Sequence, residues 1–168
     1  MNKENMTDIS VSLFSEISRA ISNLTPDRAL LFLTESVVSA TGSLGALILA
    51  PHEKNNIMVP FVKSFQSGTE EPEIDDEFLK ECFEAYIRLH DELQNSQEYQ
   101  HTISENYPEH VVSAWPIVLS GKSQALLVII KYENQSEFTE EQYKFIEAVT
   151  PFMGSLFENF KLNNEMIH

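Results

Sequence analysis

The sequence is poor in several features that particular functions require. Its one cysteine, Cys82, can form neither an internal disulfide nor a thiolate metal site. Its longest apolar stretch, residues 125–130, is far shorter than a membrane-spanning helix. The polar residues after Met1 also lack the apolar region of a secretion signal. We therefore predict a cytoplasmic protein that is held in a reducing compartment and is not inserted into a membrane.

Basic residues are scarce as well. The chain has 11 Lys and Arg against 26 Asp and Glu, which gives a formal net charge of −15. This balance opposes binding to nucleic acid and to anionic membrane surfaces, so neither is expected as a partner. The acids are concentrated between residues 70 and 109, where the only basic side chains are Lys80 and Arg88. That segment is therefore expected to lie largely in water.

The first part of the chain predicts two helices followed by two strands. Hydrophobic residues make up 42% of the 168 residues, which is enough for one domain with a single sizeable core. The spacing of apolar side chains over residues 7–41 predicts two N-terminal helices. Pro26 is typical of the start of the second helix, and Gly42 of its end. The first strands are expected within 44–67, where Pro60 favours a sheet edge or a bulge.

The middle of the chain has a different character. Residues 68–110 form an acidic connection that contains one clear amphipathic helix, expected from about residue 76 to residue 93. Residues 94–108 show no periodicity, which inside a compact domain is typical of a functional lid or a mobile loop. We therefore predict that 68–110 is a helical lid over one face of a sheet.

The last part of the chain predicts a hairpin and a long helix. Two strands in 111–132, joined by a glycine-containing turn, are expected to pair as a β-hairpin. The nearly continuous aliphatic run of the second strand is typical of a strand buried on both faces, near the sheet centre. A C-terminal helix is predicted over 139–163, with Thr139 and Gln142 as a capping box and a kink at Pro151.

Together these elements predict one α+β domain over residues 1–168, with a central antiparallel sheet of five to six strands. Residues 112–117 (Val-Ser-Ala-Trp-Pro-Ile), a glycine turn, an aliphatic strand and the run Phe138-Thr139-Glu140-Glu141 before a long helix resemble the end of a GAF domain. The resemblance extends over about residues 13–162. It implies a profilin-like sheet with the N- and C-terminal helices on one face and the helical lid on the other.

The resemblance implies a non-catalytic sensory or regulatory domain of a bacterial type of regulator. In many GAF domains a small molecule lies between lid and sheet. The ligand-binding residues expected here are Tyr86, His90, Tyr99, Trp115 and Ile117. Neither the identity of a ligand nor a cofactor follows from the sequence. The terminal helices of such domains often pass a signal to an effector, for example a kinase, a cyclase or a transcription regulator.

Two other functions remain open at this point. One is a dimerisation or protein-interaction module with no ligand, whose pocket is filled by its own side chains. A homodimer through the first and last helices would use Phe14, Ile17, Ile21, Phe152, Leu156 and Phe160. The other is a haem or metal sensor, because His90, His101 and His110 follow one another along the lid. The spacing of these histidines matches no metal-binding motif.

Catalysis is not expected. The sequence has no nucleophile elbow and no paired carboxylates in an apolar context. Cys82 lies on the apolar stripe of the predicted lid helix, which is typical of a small buried hydrophobe and not of a reactive thiol. A lone cysteine also excludes reductases that resolve a sulfenic acid with a second thiol.

Overall fold

The computed structural model describes the backbone of residues 13, 15–52, 54–69, 71–91, 99–100, 110–132 and 137–167, with the side chains of 90–91, 99–100, 110 and 162–167 left undescribed. In chain order the elements are α1 (15–21), α2 (Pro26–Thr41), β1 (Gly45–His52), β2 (Ile57–Phe65), α3 (Asp76–Asp91), β3 (Tyr99–Gln100), β4 (His110–Leu119), β5 (Lys122–Tyr132) and α4 (Glu140–Ile167). The predicted order of helices and strands is confirmed except for β3, a two-residue strand within the predicted helical lid. Residues 92–93 of the predicted lid helix lie outside the described part.

The described strands form one antiparallel sheet in the order β2-β1-β5-β4-β3. β4 and β5 pair as the predicted hairpin, and β5 lies in the middle with residues 125–130 buried. Within the described sheet, β2 is an edge strand and the register shifts where Leu49 pairs with Pro60. Pro60 therefore lies both on an edge strand and at a bulge, which are the two alternatives predicted from the sequence. A second register shift falls between Ile117 and Val118 in β4.

Helices cover both faces of the sheet. Because side chains alternate along a strand, Leu127 and Ile129 of β5 pack under α1, α2 and α4, whereas Leu126 and Val128 pack under α3. We call the first side the terminal-helix layer and the second the α3 layer. The predicted placement of the end helices on one face and the lid helix on the other is confirmed. The fold is α+β.

Local chemistry fixes the start of α4. The backbone N–H of Gln142 donates to Thr139 Oγ1 at 3.2 Å, and the backbone N–H of Thr139 donates to Gln142 Oε1 at 2.8 Å. This is the predicted capping box, which satisfies two backbone donors reciprocally. Beside it, the rings of Phe138 and Tyr143 pack edge to face with centroids 5.7 Å apart. The chain therefore enters α4 at a defined angle.

The helix α4 continues through Pro151 to Ile167. A proline has no N–H, so the carbonyl of Glu147 loses its usual helical donor. The hydroxyl of Thr150 donates to that carbonyl at 3.5 Å, a long bond that partly replaces the missing one. No helix among the described residues is long and apolar enough to cross a membrane.

Candidate functional site

The α3 layer is where a ligand was predicted to bind. Four side chains of α3 point into it and are at most 8% exposed: Phe78, Leu79, Cys82 and Leu89. They pack on sheet residues that are fully or almost fully buried, namely Leu47, Leu49, Met58, Val112, Ala114, Leu126 and Val128. The described part of this layer is therefore filled by the protein's own side chains.

Tyr86 joins α3 to the sheet at the edge of this layer. It is half-buried, and its hydroxyl donates to the backbone carbonyl of Ser123 at 2.9 Å. Its ring lies near that of Phe83, with centroids 6.4 Å apart. The Ser123 hydroxyl is buried and has no hydrogen-bond partner among the described residues. Tyr86 is thus placed beside the predicted ligand region, where it holds α3 against the start of β5.

Cys82 is a structural residue in this layer. Its side chain is 2% exposed, and burial raises the pKa of its thiol, with a smaller contribution from the negative charge of Glu81. A thiol in this environment stays protonated and is a poor nucleophile. The arrangement agrees with the buried role predicted from the sequence.

Two predicted ligand contacts lie on the wrong face for that role. Trp115 and Ile117 are buried in the terminal-helix layer, and the ring of Trp115 packs against that of Tyr143 with centroids 5.7 Å apart. A ligand held between α3 and the sheet would be separated from both by the sheet itself. The placement of these two residues under the lid is therefore wrong. The side chains of His90 and Tyr99 lie outside the described residues.

Buried polar atoms occur beside Trp115. Ser113 lies two residues earlier on β4 and so faces the same layer. Ser113 Oγ and Trp115 Nε1 are buried without a hydrogen-bond partner among the described residues. Nearby, the buried Lys131 places Nζ 4.1 Å from the ring centroid of Phe138. The terminal-helix layer therefore contains polar groups as well as an apolar core.

Most of the predicted dimer contacts also pack within the domain. Ile17 is 7% exposed and belongs to the core, and Ile21, Phe152 and Leu156 pack against that core while partly exposed. The ring of Phe160 meets that of Phe61 on β2, with centroids 4.6 Å apart. Because α1 uses Ile17 to attach to the sheet, this side chain leaves little surface for a second copy, and the interface itself stays a prediction. Phe14 lies outside the described residues.

An apolar surface that sequence reasoning missed lies on α2. Leu31 and Phe32 are 39% and 38% exposed, although Leu30 and Leu33 beside them are fully buried. The residues of α2 on the same side are also exposed or half-exposed: Arg28, Glu35, Ser36 and Ser39. We call these six residues the α2 outer face. The run of five consecutive apolar residues at 29–33 was the available signal, because a helix turns about 100° per residue and cannot bury all five.

A groove of about 360 Å³ adjoins the α2 outer face. Its walls come from Leu13 and from three helices: Glu16, Ile17 and Ala20 of α1, Phe32, Ser36, Ser39 and Ala40 of α2, and Phe145 of α4. Glu16 is the charged residue of this lining. The groove is open to the surface, and Phe32 belongs both to its wall and to the α2 outer face.

A metal centre has no support among the described residues. No group of three or more His, Cys, Asp or Glu side chains there could hold an ion. The side chains of His90 and His110, and the whole of His101, lie outside the described part of the chain. The haem or metal hypothesis therefore stays a hypothesis.

No protein-family model and no curated protein matches the sequence. Solved structures do match its fold. The GAF domain of an Acinetobacter phosphoenolpyruvate-protein phosphotransferase has a TM-score of 0.67 at 11% identity, covering 94% of this chain and 98% of that one. The GAF domain of a putative sensor histidine kinase from Pseudomonas syringae pv. tomato has a TM-score of 0.63 at 12% identity, with 98% and 96% covered.

A third match is to a protein of another description. MglB in a tetrameric arrangement has a TM-score of 0.56 at 14% identity, covering 80% of this chain and 91% of that one. The matches to GAF domains extend over nearly the full length of both chains. The chain therefore has the fold of GAF domains.

Proposed function

We propose that this chain is a non-catalytic regulatory domain that acts by self-association through its terminal-helix layer. The observation that carries the proposal is a pair of adjacent exposed apolar side chains on α2 beside an open groove, whereas the described residues of α3 expose one large apolar side chain, Ile87. In its described part, the α3 layer is filled by buried side chains such as Phe78 and Leu89. The terminal-helix layer presents exposed apolar side chains, Leu31 and Phe32, next to an open groove. Exposed apolar surface of this kind marks interaction sites.

The structures of similar fold support a regulatory role. Two of them are GAF domains, one from a phosphotransferase and one from a putative sensor histidine kinase. The third, MglB, occurs in a tetrameric arrangement. By analogy, association of two copies would change the packing of the terminal helices, and a signalling effector such as a kinase would respond to that change. The analogy rests on fold alone.

Sedimentation velocity over a concentration series from low micromolar to millimolar tests this proposal. We expect a monomer–dimer equilibrium in buffer of physiological ionic strength, because the net charge of −15 is then screened beyond about 8 Å. Lowering the salt should weaken the dimer, since two acidic chains repel each other more strongly. A protein that remains monomeric at millimolar concentration would rule out self-association as its mode of action.

Binding of a small molecule beside Tyr86 is the second candidate function. It is favoured by the buried Ser123 hydroxyl that lacks a partner among the described residues, next to the hydrogen bond from Tyr86 to the Ser123 carbonyl. A polar ligand at this edge of α3 would satisfy the hydroxyl and could replace the tyrosine bond. Nucleophilic chemistry is no part of this role, because the buried Cys82 thiol is a poor nucleophile.

Thermal-shift screening of the purified protein with a panel of small metabolites tests the ligand hypothesis. A ligand bound there should raise the melting temperature of the wild type and shift that of Tyr86→Phe by a different amount. The Ile87→Val variant, altered at an exposed position on the same helix, should respond as the wild type does. An absorption spectrum of the protein as isolated examines the haem alternative, since haem absorbs in the visible. The absence of any shift across the panel would count against the ligand role.

A further inference from the structure

The α2 outer face has an arrangement of charge and apolar surface that is complementary to itself. Leu31 and Phe32 lie at its centre, with Arg28 one turn before them and Glu35 one turn after. The midpoint between Leu31 and Phe32 is also the midpoint between Arg28 and Glu35. From either end of the helix, the face therefore presents a charged residue, then the apolar pair, and then a residue of the opposite charge.

This symmetry has a direct geometric consequence. When two copies of α2 pack antiparallel about a two-fold axis through that midpoint, Arg28 of each copy lies at the same level as Glu35 of the other. The two apolar pairs meet around the axis. The separation of Arg28 from Glu35 is about 10 Å along the helix, so both ion pairs form at once without any shift in register.

The four residues also share one side of the helix. At about 100° per residue, Arg28, Leu31, Phe32 and Glu35 fall within a sector of roughly 100° that is centred opposite the buried side of α2. The buried side is formed by Ala29, Leu30, Leu33, Thr34, Val37, Val38 and Thr41. Within the described part of the chain, neither Arg28 nor Glu35 forms an ion pair.

We propose that the α2 outer face is the self-association surface of this domain, and that its occupant is the same face of a second copy packed antiparallel. The inference rests on the proposed function and names its interface. Charge complementarity favours a second copy as the occupant, because the reversed face matches both charges at once. Continuity with the groove adds apolar area, because Phe32 lies at the two-fold axis and in the groove wall.

Charge reversal at these two positions tests the pairing. Arg28→Glu places four acidic residues around the axis, and Glu35→Arg places four basic residues there. Each change converts two attractions into two repulsions, so we expect each variant to weaken the dimer by roughly tenfold to a hundredfold. The double variant Arg28→Glu/Glu35→Arg restores both pairs in the swapped sense, and its dissociation constant should return to near the wild-type value.

Mixing the two single variants gives the sharpest readout. A chain with Arg28→Glu and a chain with Glu35→Arg form two opposite-charge pairs with each other and none with themselves. Native mass spectrometry of the equimolar mixture should therefore show heterodimer well above the half expected for random pairing. Lys80→Glu and Glu84→Arg, exposed on α3, carry the same charge changes and should leave both affinity and pairing unchanged.

A change at the apolar centre provides an independent measurement. Leu31→Asp places two carboxylates near the axis and should abolish the dimer, whereas Ile87→Asp, at a residue 44% exposed on α3, should not. If the wild type dimerises but Leu31→Asp and both charge reversals leave its affinity unchanged, the α2 pairing is wrong while self-association stands. If the wild type is monomeric at millimolar concentration, the proposed function fails and the pairing fails with it.

Discussion

The side-chain amide of Gln142 in α4 donates to the backbone carbonyl of Ala40, at the end of α2, over a distance of 3.3 Å. The same nitrogen lies 3.4 Å from the carbonyl of Thr41. Its amide oxygen accepts from the backbone of Thr139 and closes the capping box of α4. One side chain therefore caps the start of one helix and the end of another.

Gln142→Glu separates these two roles. A glutamate at this position still closes a capping box and interacts favourably with the helix N-terminus. It cannot donate to the carbonyls of α2, and its charge faces them unfavourably. We expect the variant to lose about 1–2 kcal/mol of unfolding free energy in urea titrations. Gln66→Glu, the same change at an exposed turn, should be nearly neutral. If the unfolding free energy of Gln142→Glu equals that of the wild type, the hydrogen bonds from Gln142 to α2 contribute nothing to stability.

Gly154 is required by a close approach of α4 to the sheet. A Cβ at this position would lie 2.5 Å from the backbone oxygen of Val118, next to the register shift in β4. Glycine to alanine in a helix ordinarily stabilises by about 1 kcal/mol. Here we expect Gly154→Ala to destabilise by about 2 kcal/mol or more, because the neighbouring atom is backbone and cannot move aside. Ser155→Ala, exposed one residue later, is the control. A stabilising Gly154→Ala would refute the close approach.

Lys131 should make stability depend on pH in the alkaline range. Burial lowers the pKa of its ammonium group from the ordinary 10.5, and Glu137 partly opposes this change. The unfolded chain then binds the proton more tightly than the folded one, so the cost of burying the charge is present at neutral pH. That cost is relieved as the pH rises through the folded pKa towards 10.5.

The Lys131→Met variant removes the charge and keeps the apolar stem. We expect its unfolding free energy at neutral pH to equal or exceed that of the wild type. As the pH approaches 10.5, the unfolding free energy of the wild type should rise relative to that of the variant. Urea titrations across this range measure the difference, with the exposed Lys80→Met as control. If the variant is clearly less stable than the wild type at neutral pH, the contact of Lys131 with Phe138 outweighs the cost of burying the charge.

Cys82 should be protected from thiol reagents in the folded protein. Because the thiol is 2% exposed and its pKa is raised, iodoacetamide can react only after α3 opens. Mass spectrometry over time should show slow modification in native buffer and rapid modification in urea. Cys82→Ala should cost about 1–2 kcal/mol through lost packing. Rapid stoichiometric modification of the native protein, without unfolding, would refute the structural role of this residue.

Short-range chemistry explains what the sequence could predict. The capping box at Thr139, the stop at Gly42 and the edge bulge at Pro60 depend on backbone geometry within a few residues. Gly42 has the left-handed φ of 63° typical of a helix end. The capping box and the helix stop are independent of the rest of the fold, whereas the bulge also needs β1 as its partner. Each was confirmed in place.

The errors concern which surface a residue faces. Alternation predicts that Trp115 and Ile117 share a face, but nothing local tells whether that face lies under α3 or under α4. The same holds for Ile17, which an amphipathic pattern cannot assign to a core or to an interface. Close contacts such as Gly154 on Val118 depend on how two distant elements cross, and no pattern within the helix predicts them.

The central position of β5 governs how the molecule can open. Residues 125–130 contribute alternately to both layers, and β1 and β4 bond the strand on its two sides. If α3 detaches, the terminal helices still cover this strand. If the terminal helices detach, α3 still covers it. Exchange of its amide hydrogens with solvent therefore requires the whole domain to unfold, so the slowest-exchanging amides measure global stability.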